Sequence, residues 1–222
     1  MPASSAQLGK YEQALYYEIF IKEEYRIAKP IIKNAKTIFD IGGHLGFFSE
    51  RCVSLNPHLQ LHYFEPFDAL FQQAKIRLQD FAPQITFNPF AIASSTGTAT
   101  FTFNASKTMQ SSKTTSFLNP AGIPQQVHTQ SLNQYIKEQK IGSIDLVKLD
   151  IEGMEFEVLF ALEPATRSSI KALLCEVHLL TESEAAQFPH LQSLLSTHFA
   201  QITRLPSPYS PKINLCFCQN PL

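Results

Sequence analysis

Apolar and polar positions follow two different periods along this chain, and the switches between them outline its elements. Short apolar runs bounded by turn residues, at 37–41, 60–64, 85–87 with 90–92, 144–150 and 170–177, read as strands. Stretches with apolar groups three and four apart, at 45–54, 67–80, 131–139, 154–162 and 182–198, read as helices. Ser131 is placed to cap its helix, and Pro189 is expected to interrupt the last one. A leading amphipathic helix is expected over 11–28, carried by Leu15, Ile19, Phe20 and Ile27 and stopped near Lys29-Pro30. Residues 98–103 and 127–130 have strand character at or just outside one sheet edge. Between them, 104–126 is rich in Ser, Thr, Asn and Pro without a period, the mark of a functional or mobile loop. At the end, Ile202 and the strand 213–218 flank the Pro-rich loop 205–211 with no helix between them, which predicts an antiparallel hairpin. Strands alternating with helices argue an α/β, doubly wound, mostly parallel sheet with helices on both faces. The closing hairpin departs from the dinucleotide-binding plan of two repeated halves.

Composition narrows this picture modestly. The chain has 222 residues, 44% hydrophobic and 17% charged, and a formal net charge of -1. That balance suits one globular domain and lacks the charge field of nucleic-acid or anionic-membrane binding, so neither partner is expected. No repeat or linker divides the chain. One domain over 1–222 is expected, with an N-terminal helical segment at 1–30, a core at 37–178 and a closing hairpin at 199–218. Cys52, Cys175, Cys216 and Cys218 form no C-x-x-C pair, which argues against zinc and disulfides and for a reducing, cytoplasmic setting. The first residues lack the basic and apolar regions of a signal peptide, and no apolar run reaches membrane-spanning length.

Four constellations carry candidate chemistry. Asp40 ends the first strand, and Gly42, Gly43 and Gly46 form a glycine turn through which a ligand can approach backbone N–H groups. Glu65 follows the second strand roughly 20 residues on, where an acid can hold ribose hydroxyls. No phosphate-binding G-x-x-x-x-G-K-[ST] motif occurs, so a nucleoside with a small tail is the better fit than a nucleotide, and S-adenosylmethionine is such a ligand. Asp150, Glu152 and Glu155 then crowd the end of a central strand, with Lys148 on the face of Asp150, an arrangement that is costly unless a cation, a proton or hydrogen bonds offset the repulsion; Lys148, a divalent metal or a sulfonium cofactor could each do so. Glu176 and His178 end the neighbouring strand, and His178 or Asp150 is the expected general base. A divalent metal could sit on Asp150, Glu152 and Glu176.

The residues that carry these features, Phe39 to Gly46, Phe64-Glu65-Pro66, Ser131-Leu132-Asn133, residues 144–159 and Leu174 to His178, resemble the FkbM-type methyltransferases. The resemblance implies a Rossmann-like class I methyltransferase fold with a seven-stranded sheet, which suits the closing hairpin. It implies S-adenosylmethionine-dependent methylation, mostly of hydroxyls on sugars or secondary metabolites, with a small-molecule or glycan acceptor. It implies a cofactor held by Asp40, Gly42, Gly46 and Glu65, with Asp150 and Glu152 at the active centre; Gly43, His44, Pro66, Ala91 and Asp150 complete the expected cofactor site, and Glu176 and His178 the expected catalytic set. His44 stands where this family usually has Asn, and Asn133 where it usually has an acid. The loop 104–126 and the loop near Tyr209 are the expected acceptor lids. A nicotinamide oxidoreductase, a non-catalytic cofactor-binding or interaction protein, and methylation of an amine or protein nitrogen are the competing readings. The oligomeric state is left open.

Overall fold

The computed structural model describes residues 9–103, 123–207 and 210–220. Its centre is a seven-stranded sheet built from β1 (Thr37–Ile41), β2 (Gln60–Phe64), β3 (Ile85–Asn88), β7 (Leu146–Leu149), β8 (Ala172–His178), β9 (Gln201–Pro206) and β10 (Ile213–Gln219). The order across it is β3-β2-β1-β7-β8-β10-β9. Pairings from β3 through β8 are parallel, and β10 is antiparallel to both β8 and β9. This is the class I methyltransferase arrangement, in which the hairpin inserts one reversed strand near the sheet edge. Alternation along β1 explains its burial: Ile38 packs on one face, Phe39 and Ile41 on the other. Helices α2 (Lys29–Asn34), α3 (Phe47–Leu55) and α4 (Asp68–Arg77) cover the first face. Helices α5 (Leu132–Glu138), α6 (Glu155–Phe160) and α8 (Glu182–Ser196) cover the second, and α7 (Pro164–Ser169) links α6 to β8. Ser131 caps α5, its side chain accepting from the Gln134 N–H.

Four local expectations are corrected. Residues 85–92 form two strands in different sheets, because the chain turns after Asn88 and β4 (Ala91–Ala93) leaves the main sheet. There it pairs with β6 (Ile123–Ser131), which also pairs with β5 (Gly97–Phe103), in a three-stranded sheet of order β4-β6-β5. The leading helix is broken: α1 (Lys10–Tyr16) widens into a π-turn over Tyr17–Ile21 and ends before Glu23, whose φ is 49°. Pro30 opens α2 rather than stopping a helix, since a proline near the first position forfeits only an N–H that would lack a partner anyway. Helix α8 runs through Pro189 without a break, held by buried Phe188, Leu191 and Leu195. All four cysteines are free and buried, and among the described residues no helix is long and apolar enough to cross a membrane.

Candidate active site

Ligands in an open parallel sheet bind beyond the carboxyl ends of the strands, where the strand order reverses. Here that point lies between β1 and β7, and a cleft of about 750 Å³ opens there. The glycine turn forms its floor. Gly42 and Gly43 donate their N–H groups to the Phe64 carbonyl at 3.1 and 2.9 Å, which ties the turn to the end of β2. Gly42 has φ 75°, and a Cβ there would stand 1.9 Å from the Asp150 carbonyl oxygen. At Gly43 a Cβ would meet the Tyr63 ring at 2.1 Å. The turn is glycine-rich because two neighbouring segments press against its backbone.

Gly42, Gly43, His44, Glu65, Pro66, Ala91, Asp150, Glu152, Glu176 and His178 all line the cleft, and Asp40 and Gly46 do not. Asp40 is wholly buried behind the wall. Its Oδ2 accepts from the Ser49 hydroxyl at 2.6 Å, and its Oδ1 lies 3.5 Å from Lys148 Nζ. Lys148 donates to the Gly42 carbonyl at 2.7 Å and lies 3.4 Å from Asp150, so it joins β1, the turn and the acidic end of β7. Burial works against the lysine charge, but Asp150 and Asp40 outweigh it and raise the Lys148 pKa. Asp40 therefore acts on the cleft through Lys148. Gly46 lies one step behind, at the start of α3 against Leu78.

Glu65 staples the turn. Its Oε2 accepts from the His44 N–H at 3.0 Å and its Oε1 from the Phe67 N–H at 2.9 Å, while burial holds its carboxyl up to about 7. His44 has φ 49°, and its carbonyl accepts from the Tyr63 hydroxyl. Burial, then Lys148, lowers its imidazole pKa to about 4. Asn133, the other family departure, bridges the Ala161 carbonyl and the Glu163 N–H, a structural contact away from the cleft.

At the opposite pole, His178 sits between two carboxylates. Its Nδ1 is 3.1 Å from Glu155 and its Nε2 is 3.5 Å from Glu152. Burial opposes the imidazolium, but Glu155, Glu152 and Asp150 outweigh it and keep the proton on well above the ordinary histidine range. Burial pushes Glu152 up to about 8, and burial with the Asp150 charge pushes Glu176 up to about 9. Glu152 adopts φ 54°, a strained conformation of the kind that collects at functional sites. Glu155, which the sequence placed only among the crowded acids, organises this pole. Fully buried, its Oε1 accepts from the Ile151 and Gly153 N–H groups, both at 3.1 Å, as well as facing His178.

The sequence reading also missed one whole wall. Leu15, Glu18, Ile19, Glu24 and Tyr25 of the N-terminal segment line the cleft. Only the apolar spacing of Leu15 and Ile19 hinted at burial. Of the expected lids, 104–122 and 208–209 lie outside the described residues, while Ser207, Ser210 and Lys212 beside the latter do line the cleft.

A family model described as the methyltransferase FkbM domain matches residues 40–201. The chain is 26% identical over 193 residues to the 31-O-demethyl-FK506 methyltransferase FkbM of Streptomyces tacrolimicus, covering 75% of this chain and 74% of that protein. It is 22% identical over 224 residues to the AMB antimetabolite synthetase AmbE of Pseudomonas aeruginosa, covering 85% of this chain and only 10% of that much longer protein. Among solved structures it resembles a candidate rRNA-methylase from Clostridium thermocellum (TM-score 0.52, 11% identity, 88% of this chain and 94% of that one). The human methyltransferase 10 domain containing protein is similar (TM-score 0.51, 10% identity, 90% of this chain and 79% of that one). At such identities the structural likeness is one of fold.

Proposed function

The chain belongs to the FkbM methyltransferase family and is an S-adenosylmethionine-dependent methyltransferase; on that premise we propose that it methylates a hydroxyl oxygen of a sugar or small metabolite. The observation that carries this reading is a polarised cleft: a glycine turn and a ribose-type acid at one end, and Asp150, Glu152, Glu176 and His178 at the other. Bound S-adenosylmethionine supplies a methyl carbon made electrophilic by its sulfonium. Glu65 accepts the ribose hydroxyls with lone pairs left over from its two backbone contacts, and Pro66, Ala91, Phe90 and Ile92 give the base an apolar wall. Gly42, Gly43 and His44 bring the backbone close to the amino-acid tail, with Asp40 and Lys148 holding that floor in place.

This chain's own part would be to hold the acceptor hydroxyl against that methyl and to take the proton the hydroxyl gives up. Of the two expected bases, His178 already holds a proton and serves as a donor that orients the acceptor oxygen. Asp150, on the cleft wall beside Lys148, takes the proton in this reading. A positioned base contributes roughly 10²–10⁴-fold, and orientation in a closed cleft on the order of 7–11 kcal/mol. The test is a screen of metabolites and glycans with isotopically labelled cofactor, with the methyl located by tandem mass spectrometry. Label on oxygen supports the reading, and label on nitrogen overturns it. Asp150→Asn should lower kcat by roughly 10²–10⁴-fold, whereas His178→Gln should act mainly on KM.

One observation favours adding a metal. Donor atoms of Asp150, Glu176 and His178 all lie within 4.8 Å of one another, a set in which His178 takes the place expected for Glu152. Carboxylates, and a His178 imidazole that has given up its proton, would suit a divalent cation, which would polarise the acceptor oxygen in place of the donor role given to His178 above. Full turnover after exhaustive chelation, with no gain from Mg²⁺ or Mn²⁺, would remove the metal from this reading.

A further inference from the structure

The hairpin loop between β9 and β10 brings two donors to the cleft that the chemistry above leaves unused. Ser210 and Lys212 line the cleft from this loop, with Leu180 and Ile213 beside them. The loop is pinned to its surroundings. Leu179 donates its N–H to the Lys212 carbonyl at 2.7 Å, Ser207 to the Ile213 carbonyl at 3.0 Å, and Ile213 to the Ser210 carbonyl at 3.2 Å. Ser210 Oγ accepts from the Lys212 N–H at 3.2 Å, so its own O–H is left to be donated. Lys212 is exposed, and among the described residues neither its ammonium nor the Ser210 O–H has an acceptor. Lys148, the other lysine of the cleft, is buried and committed to Gly42, Asp40 and Asp150. Sheet order tells which end of the cleft the loop serves. Ile213 pairs with His178, so Lys212 stands one residue beyond the acidic pole, beside the end of β8. Strand β10 is three places from β1, whose end bears the glycine turn, about 14 Å at the usual strand spacing. The two donors therefore lie on the acceptor's side, away from the cofactor's amino-acid tail.

Resting on the reading of methyl transfer to oxygen, we propose that Lys212 and Ser210 hold an anionic oxygen group of the acceptor, so that the substrate class is a hydroxylated carboxylate or phosphate, such as a uronic acid or a sugar phosphate. An oxyanion matches the pair in both respects, because it accepts from each donor and its charge meets the ammonium. The carboxylates of the pole lie further in, at the ends of β7 and β8, and repel an anion placed among them. The charged group is thus left at the rim, and a hydroxyl elsewhere on the same molecule points inward to Asp150 and His178. The flexible four-carbon stem of the lysine lets its ammonium follow acceptors of different shape, which suits a recognition arm. Lys212 and Ser210 are specificity residues that touch the acceptor away from the reacting atoms.

The test uses the full chain, stripped of metal by chelation and dialysis and saturated with S-adenosylhomocysteine, with binding read by saturation-transfer NMR. The probes are glucuronate and glucose 6-phosphate, each against neutral glucose, and the tighter of the two tells carboxylate from phosphate. An acidic probe should bind roughly tenfold more tightly than glucose, the scale of one charge-assisted hydrogen bond. Lys212→Gln should erase most of that preference, Ser210→Ala should reduce it, and Lys212→Arg should keep it. S-adenosylhomocysteine affinity, measured by calorimetry, should be unchanged in all three. Lys137→Gln, at an exposed lysine of α5, should leave the preference as it is. Equal binding of acidic and neutral probes, no binding by either acidic probe, or a preference untouched by Lys212→Gln would overturn the proposal. So would a preference lost equally in Lys137→Gln, which would make it an effect of overall charge. An anion preference that appears only after Mg²⁺ or Mn²⁺ is added would also overturn it, because the anion would then sit on a metal at the acidic pole. With labelled S-adenosylmethionine in place of S-adenosylhomocysteine, a methyl found on the carboxylate or phosphate would overturn it too, since the anchor would be the nucleophile. An intact anion preference with no hydroxyl methylated on any probe supports the anchor and counts against the oxygen-acceptor reading alone.

Discussion

Glu65 shows how one carboxylate can staple a fold and still face the cleft. Its two oxygens each accept a backbone N–H, from His44 and from Phe67, and the same side chain lines the cleft. Burial sets its carboxyl near 7 against an ordinary 4.5. Between those values the folded protein keeps a proton that the unfolded chain has lost, so stability falls as pH rises across the window, by roughly 3 kcal/mol in all. Urea unfolding at intervals from pH 4.5 to 7.5 should show this decline, and Glu65→Gln should make it shallower, the remainder coming from Glu152 and Glu176. An unchanged slope in the variant would assign the titration to another acid. The ionised carboxylate is also the better acceptor for ribose hydroxyls, so cofactor affinity in calorimetry should rise with pH over the same window. The position of Glu65 after the second strand was readable in the sequence, because strand ends and acids are local signals. That Asp40 works from behind the wall was not readable. Its burial depends on Ser49 and Lys148, which only the folded sheet brings to it.

The turn between β7 and α6 is the element on which the acidic pole depends. Glu152 at φ 54° and Gly153 at φ 99° bend the backbone sharply, and the buried Glu155 holds the bend by accepting from Ile151 and Gly153. Glu155→Ala leaves those N–H groups without an acceptor, and His178 loses the carboxylate that fixes its ring. A loss of roughly 2–4 kcal/mol in denaturant unfolding is expected. The His178 pKa, followed by NMR, should fall toward the ordinary range, because Glu155 is the largest influence raising it. Glu155→Gln keeps one oxygen acceptor and should recover more stability than pKa. A His178 titration unmoved in Glu155→Ala would break the link between the two residues. Elements with a strong local period, such as β1, β2 and the closing hairpin, were legible in the sequence. The second sheet was not: β4 is three residues long, and its partner β6 lies beyond 29 intervening residues, from Ser94 to Gly122. The N-terminal wall was hidden for a related reason, since Glu24 and Tyr25 gain meaning only from what they face.

At the scale of the whole molecule, one side chain joins the N-terminal segment, the glycine turn and the helices beside the sheet. Arg77, the last residue of α4, donates from Nε to the Leu45 carbonyl at 2.9 Å and from its terminal nitrogen to Glu12 of α1 at 3.3 Å. It also lies 3.7 Å from Glu50 of α3, and its guanidinium covers the Phe47 ring at 3.8 Å. Burial raises the Glu50 carboxyl and Arg77 holds it back. Removing the arginine therefore strands a buried acid. Arg77→Met should cost roughly 3–5 kcal/mol in unfolding free energy, the usual result of deleting one partner of a buried pair. The double variant Arg77→Met, Glu50→Gln should regain much of that loss, because the unpaired charge is gone although the Glu12 and Leu45 contacts are still missing. Complete recovery would mean those two contacts contribute nothing, and no recovery would mean that Glu50 is not the group left stranded. The same cycle read by calorimetry separates fold from function. Leu45 and Phe47 also line the cleft, so cofactor affinity should remain reduced in the double variant even where stability has returned. A cofactor affinity restored together with stability would show that the N-terminal segment and the turn are coupled only through the folding equilibrium.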